Sequence, residues 1–438
     1  MLLLTCLGVG PACRRAPRQV SYAMPAARIG WVVDRMQQLM RQDITNPPLA
    51  ARFFAYSMLA GYETLAQSDS SLMPLHGRLR DYPRIPRPAG QCQAPQLAAL
   101  FAMLHTAGQL QPSGSGLAAA AAALTDSCRN AGIPAAVVAQ ARARGQLVAT
   151  AILAYARQDG YNRISNYPRY TPTAGPGYWS PTPPAFFGAV EPYFNRVRPF
   201  VLDSAAQFRP PAPVAFDSRP GSGFAALMRE VYQTSCTLTP AQRATAAFWD
   251  CNPFALRENG HLRIGLKKMS PGAHWMAIAS IACRQRKAPF AHTLQVHTVL
   301  AVVLTDAFMC CWDEKYRSNR IRPETAIRRY LDPTWQPILQ TPPFPEYLSG
   351  HSVISTAAAE VLTHYFGPTY AYTDTSERAF GLPDRRFSSF RQAAAEAAIS
   401  RLYGGIHFRD AITQGQDQGR QVGQLALRVL FTPVTNPR

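Results

Sequence analysis

The chain has 438 residues, 47% hydrophobic and 16% charged, which is enough apolar material for a large core and too little charge for a disordered polyelectrolyte. Past the N-terminus no apolar run reaches ~18 residues without interruption, which excludes a multispanning membrane bundle. The net charge of +19 is almost wholly arginine, lysine standing only at Lys267, Lys268, Lys287 and Lys315; with no basic block and no nucleic-acid motif, it reflects arginine-rich coding or an anionic ligand rather than nucleic acid.

Met1 to Cys13 is a short apolar segment ending in small residues and followed by Arg14, Arg15 and Arg18. It resembles the apolar stretch of a secretory signal, and Ala12-Cys13 resembles a lipoprotein cleavage site. Residues 1–21 therefore read as a signal or lipoprotein-like segment or a tail. The expectation is export, to the periplasm or outer surface, with Cys13 as a candidate site for a lipid anchor. Nine cysteines occur and none forms a CxxC pair, which argues against a structural zinc site. In an exported chain Cys92/Cys128 and Cys236/Cys251 are candidate disulfides. Cys310-Cys311 reads as buried packing.

Ile29, Val32, Val33, Met36, Leu39 and Met40 recur at helical spacing. Asn46-Pro47 then predicts a helix start, with Asn as the cap and Pro at the first helical position. Residues 96–110, 117–125 and 133–157 are further helices, so 22–158 forms an N-terminal helical region. From 159 to 235 periodicity is lost and Pro, Tyr and Gly dominate, predicting a long irregular connection. Thr239-Pro240-Ala241-Gln242 is a capping-box pattern. Helices follow at about 239–250, 271–286, 290–318, 351–366, 386–403 and 410–431, within a C-terminal region 236–433. The apolar stretch Thr298 to Trp312, broken by Asp306, reads as a core helix. The class is mainly α, helical bundles with long irregular Pro/Gly-rich loops.

Three segments of the C-terminal half concentrate cations and histidines. Lys315 and Arg322 are seven apart, and on one helix they share a face, with Pro323 ending that helix and leaving Arg322 at a rim. Ser349-Gly350-His351 opens an apolar helix, where unpaired N–H groups and the helix dipole favour an anion. His351 is placed there for acid–base work near neutral pH. In Ser400-Arg401…Gly404-Gly405-Ile406-His407, the two glycines stop a helix so that His407 turns back toward Arg401. Asp410 is either the cap of the last helix or the partner of an imidazole. Each segment alone is an ordinary feature; their joint presence in this order is the signal.

The pattern K-x6-RP, SGH and SR-x5-H resembles the signature of the superfamily of vanadium-dependent haloperoxidases and type 2 phosphatidic acid phosphatases. The likeness is strongest over 290–430, and the chain is most similar to the soluble bacterial haloperoxidase branch. The resemblance implies that Lys315, Arg322 and Arg401 bind the oxygens of vanadate or phosphate, with Ser349 and the Gly350 N–H adding hydrogen bonds. It makes His407 the apical group, which ligates vanadium in the peroxidases and attacks phosphorus in the phosphatases. His351 becomes the acid–base histidine. Trp312 and Phe344 match positions beside the site in the fungal chloroperoxidase type.

Two positions depart from the pattern. Leu348 stands where Pro is usual before Ser-Gly-His. Ala411 stands where a carboxylate is usual four after the apical His, so the partner of His407 or Arg401 falls to Asp410, Asp306 or Asp313. The expected activity is oxidation of a halide by hydrogen peroxide, with vanadate as cofactor. The alternatives are a nonspecific acid phosphatase acting on phosphate monoesters through a phosphohistidine, without a cofactor, and a non-catalytic oxyanion-binding surface lipoprotein.

Overall fold

Fourteen α-helices, two short 3₁₀ helices (Phe194–Arg196 and Ser376–Phe380) and two short hairpins are the regular elements among the described residues. The helices are α1 (Ala27–Gln42), α2 (Pro47–Ala66), α3 (Pro95–Leu110), α4 (Gly116–Asn130), α5 (Ala135–Arg157), α6 (Tyr161–Ile164) and α7 (Gly223–Cys236), then α8 (Pro240–Phe248), α9 (Pro271–Gln285), α10 (Phe290–Ser318), α11 (Pro323–Tyr330), α12 (Gly350–Phe366), α13 (Phe390–Tyr403) and α14 (Arg409–Phe431). β1 (Leu256–Asn259) pairs antiparallel with β2 (Leu262–Gly265), and β3 (Tyr372–Asp374) with β4 (Arg385–Phe387). The computed structural model describes residues 22–431 apart from 89, 165, 260 and 261. The expected signal segment and the Cys13 anchor lie outside the described residues.

Local chemistry places most helix starts. Asn46 caps α2 by accepting from the Leu49 N–H at 3.0 Å, with Pro47 at the first position. Thr239 and Gln242 complete the reciprocal capping box of α8. Ser349 caps α12, accepting from the Ser352 N–H at 3.3 Å. Gly404 and Gly405 end α13, Gly405 taking a φ of +74° that suits glycine.

α10 is long and apolar enough to cross a membrane, yet it is almost wholly buried inside the protein, as the core reading of 298–312 anticipates. α2, α9, α12 and α14 pack around it. One continuous hydrophobic cluster runs from Ile29 to Leu430, so the N-terminal helices share a core with the C-terminal ones. Thr298 of α10 donates to the Met58 carbonyl of α2 at 3.3 Å.

Several local expectations need correction. The 159–235 connection is not irregular throughout: Ser222 caps α7, and Phe224, Met228 and Val231 bury against Ile321, Ile327 and Phe408. α10 ends at Ser318 with Asn319 left-handed at φ 49°, and Pro323 opens α11. Pro323 therefore does two things, barring Arg322 from helical geometry and starting a new helix. Arg322 is fully buried, not at a rim. α13 starts at Phe390 because 385–387 form β4, a strand too short to show alternation. The seven described cysteines are all free, so neither candidate disulfide forms. Cys251 is buried against His274, while Cys236 is exposed at the end of α7. Cys310 and Cys311 are buried on α10, as packing residues should be.

Candidate active site

The three cationic segments meet where α10 ends, α12 begins and α13 turns into α14. Trp312, Phe344, Gly350, His351, Arg401 and His407 line one cavity. Lys315, Arg322 and Ser349 are fully buried behind it. The Lys315 ammonium donates to the carbonyls of Pro345 (3.0 Å), Glu346 (3.1 Å) and Leu348. Those three bonds use all its protons and clamp the backbone that leads into Ser349. Arg322 donates from Nε to the Phe344 carbonyl at 2.8 Å and from Nη1 to the Ile406 carbonyl at 2.9 Å. Arg401 donates from Nε to Ser400 Oγ at 3.0 Å and from Nη2 to the Trp249 carbonyl at 2.6 Å. None of these three cations pairs with a carboxylate among the described residues.

The tautomer of His407 follows from its neighbours. Arg322 Nη1 lies 3.2 Å from His407 Nε2. An arginine only donates, so Nε2 accepts and carries the lone pair. Nδ1 then bears the proton and donates to Glu346 Oε1 at 2.8 Å. The Phe408 N–H also donates to Glu346 Oε1, at 2.9 Å. Glu346 Oε2 is held by Arg320, whose Nη1 and Nη2 reach Asp410 at 2.6 and 2.8 Å. The chain His407–Glu346–Arg320–Asp410 therefore fixes one imidazole face and leaves Nε2 directed among cations.

Burial and positive neighbours act together on the titratable groups. His407 is held well below its ordinary value by burial, then by Arg322, Lys315, Arg401 and Arg320, so it is neutral. His351 is likewise depressed, by burial first and then by Arg401, His407 and His274. Burial lowers Lys315 to about 7 and Arg322 to about 10, although three carbonyl acceptors favour the Lys315 ammonium. This is an excess of buried positive charge that an oxyanion would relieve.

Trp312 and Phe344 form the aromatic wall, with centroids 4.9 Å apart. Lys315 Nζ stands 5.0 Å from the Phe344 centroid and the Arg322 guanidinium 5.1 Å from it. The three proposed carboxylate partners are elsewhere. Asp306 accepts the backbone N–H groups of Phe200, Val201 and Leu202 and is raised to about 6 by burial. Asp313 accepts from Asn195 and Arg317. Asp410 touches Arg320, one link removed from His407, because its place in the first turn of α14 faces that guanidinium. The residue that takes the role is Glu346. Its signal was present, a carboxylate three residues before Ser349, but nothing local pairs it with a histidine 61 residues on.

The donor set fits a tetrahedral oxyanion such as vanadate. Arg322 Nη2 and His351 Nε2 are buried and have no hydrogen-bond partner. Ser349 Oγ accepts from the Ser352 N–H and from Ser352 Oγ at 2.8 Å, leaving its own proton to donate. A Cβ at Gly350 would meet nothing nearer than Trp312 at 3.8 Å, so backbone approach there is open.

Comparison with known proteins gives a consistent picture. The family described as the VCPO second helical-bundle domain matches residues 295–436. The first bacterial vanadium-dependent iodoperoxidase is similar at 40% identity and a TM-score of 0.87, over 94% of this chain and 98% of that one. The apo-type bacterial vanadium-dependent chloroperoxidase shares the fold at 16% identity and a TM-score of 0.64, over 88% and 94% of the two chains. Its holo-type structure does so at 16% and 0.62, over 95% and 94%. No curated protein matches the sequence.

Proposed function

The chain belongs to the vanadium-dependent haloperoxidase family, and from that premise we propose that it oxidises a halide with hydrogen peroxide, using vanadate held by Lys315, Arg322, Arg401, Ser349 and Gly350 with His407 as the ligand. The observation that carries the reading is the geometry of His407, whose Nδ1 is held by Glu346 so that Nε2 faces Arg322, which with the buried Lys315 and Arg401 has no carboxylate partner among the described residues. Arg322 Nη2 and the Arg401 guanidinium bind and orient the oxygens, and Ser349 and the Gly350 N–H add donors. His351 Nε2 is the site that takes up and returns a proton as peroxide arrives and product leaves. Trp312 and Phe344 keep bulk water from one side of the cavity. Bound vanadate supplies a Lewis-acidic centre that activates peroxide toward the halide.

Iodide is the halide to test first, because the similar protein at 40% identity is an iodoperoxidase. Protein stripped with EDTA should lack peroxide-dependent iodide oxidation and regain it on adding orthovanadate. His407→Ala should stay inactive with an unchanged circular dichroism spectrum. Turnover of p-nitrophenyl phosphate, inhibited by vanadate and with no halide oxidised, would overturn the reading in favour of a phosphatase using the same cage.

A further inference from the structure

A second cluster of ligand-type side chains stands beside the cage, and one of its members, Cys251, also lines the oxyanion cavity. Cys251 follows α8, His274 is in the first turns of α9, and Glu377 belongs to the 3₁₀ turn Ser376–Phe380. We propose that Cys251, His274 and Glu377 form a buried binding site for a zinc-class divalent cation, distinct from the oxyanion cage.

Geometry is the first ground. Sγ of Cys251, Nδ1 of His274 and Oε1 of Glu377 all lie within 4.8 Å of one another. Sγ to Nδ1 is 3.3 Å and Nδ1 to Oε1 is 3.6 Å. Tetrahedral zinc with ~2.3 Å bonds to sulfur and ~2.0–2.1 Å bonds to nitrogen and oxygen sets such atoms about 3.3–3.6 Å apart. Two of the three ligand–ligand distances thus match what the cation needs, and the third lies within 4.8 Å.

The second ground is an orphaned group. Glu377 is 5% exposed and its Oε1 has no hydrogen-bond partner, although it faces Nδ1 of His274. That oxygen has His274 as an ion-pair neighbour but accepts no hydrogen bond, and burying a carboxylate oxygen without one is costly. The third ground is the back of the imidazole. His274 Nε2 lies 2.8 Å from Asp374 Oδ2, with both side chains fully buried. Asp374 is itself oriented by the Ser376 N–H and hydroxyl at 2.9 and 2.6 Å. Carboxylate–histidine pairs of this kind orient imidazoles that ligate metal.

The donor set chooses the cation. A thiolate, an imidazole and a carboxylate suit zinc and disfavour magnesium or calcium, which need more oxygens. Three protein ligands leave a fourth position for water. Because Cys251 also walls the oxyanion cavity, the cation would tie that wall to α9 and to the turn after β3.

The full-length protein, stripped of metal under reducing conditions, is titrated with Zn²⁺ and separately with Co²⁺. The expected result is about one equivalent retained through dialysis, and a cobalt spectrum with thiolate charge-transfer and intense four-coordinate d–d bands. Cys251→Ser should lose the charge-transfer band. Asp374→Asn should keep it while weakening affinity about 10–100-fold. Glu377→Gln covers the case in which Cys251→Ser does not fold, and should alter the d–d bands. No retained metal, or a cobalt spectrum indifferent to the substitutions, would overturn the site. None of these readouts depends on halide oxidation.

Discussion

Arginine is buried at two places for different ends. At the junction of the N-terminal helices, Arg52 donates to Asp159 Oδ2 at 2.6 Å, Tyr56 reaches the same oxygen at 2.9 Å, and Arg52 Nη2 donates to the Ala156 carbonyl at 3.1 Å. Charge is matched to charge, and the network joins α2 to the start of the long connection. In the cage, Arg320 is matched by Glu346 and Asp410, but Lys315, Arg322 and Arg401 bond to backbone carbonyls, a hydroxyl and, for Arg322, His407 Nε2, with no carboxylate. A buried charge without a partner opposes folding. The first site is therefore architecture, and the second, in the function proposed above, holds positive charge for an anion.

The sharpest contrast comes from deleting one arginine at each site. Arg52→Ala leaves Asp159 buried and uncompensated and should lower unfolding free energy by about 3–5 kcal/mol. Urea unfolding measures this, while activity per folded molecule should hold. Arg401→Met, which preserves volume, should leave the stability of anion-free protein unchanged or higher and cut orthovanadate affinity about 10–150-fold, as for loss of a charged hydrogen bond of about 1.5–3 kcal/mol. If Arg401→Met destabilises as Arg52→Ala does, the comparison breaks.

Glu346→Gln tests the intermediate case, a carboxylate inside the cage. It removes the charge that sets the His407 tautomer while keeping shape, and vanadate affinity by titration should fall about 10–100-fold. The smallest effect is in pH. Lys315 has its folded value lowered from 10.5 to about 7, so the cost of carrying its charge in the fold is absent above about 10.5, grows as pH falls, and is complete below about 7. A bound oxyanion offsets that cost. Anion affinity should therefore decline as pH rises above about 7, by at most about tenfold per unit, and Lys315→Met should flatten the decline. A slope unchanged in Lys315→Met would assign the titration elsewhere.

Much of the cage was legible in the chain because its parts are local. Ser349 before an apolar helix, two glycines after Arg401, and Pro323 after Arg322 each declare a helix boundary, and boundaries are where backbone donors and turning points occur. The partnerships were not legible. Asp410, three residues after His407, and Asp306 and Asp313, on the helix that carries Lys315, were the candidate partners for His407, yet Glu346 holds it, because the 345–348 segment is clamped by Lys315 and carried under the imidazole. α7 and α11 went unforeseen for a related reason: part of what holds them is burial against distant Phe408 and Leu402.

The amino-acid sequence by itself determined the helical class, the residue types of the proposed oxyanion cage and the ends of the helices that present them, since these depend on residues within a turn or two of one another. Which carboxylate meets which cation, that three cations go unmatched, and that Cys251, His274 and Glu377 converge were decided only by tertiary packing. Charge pairing acts over a few ångströms in space and is indifferent to separation along the chain.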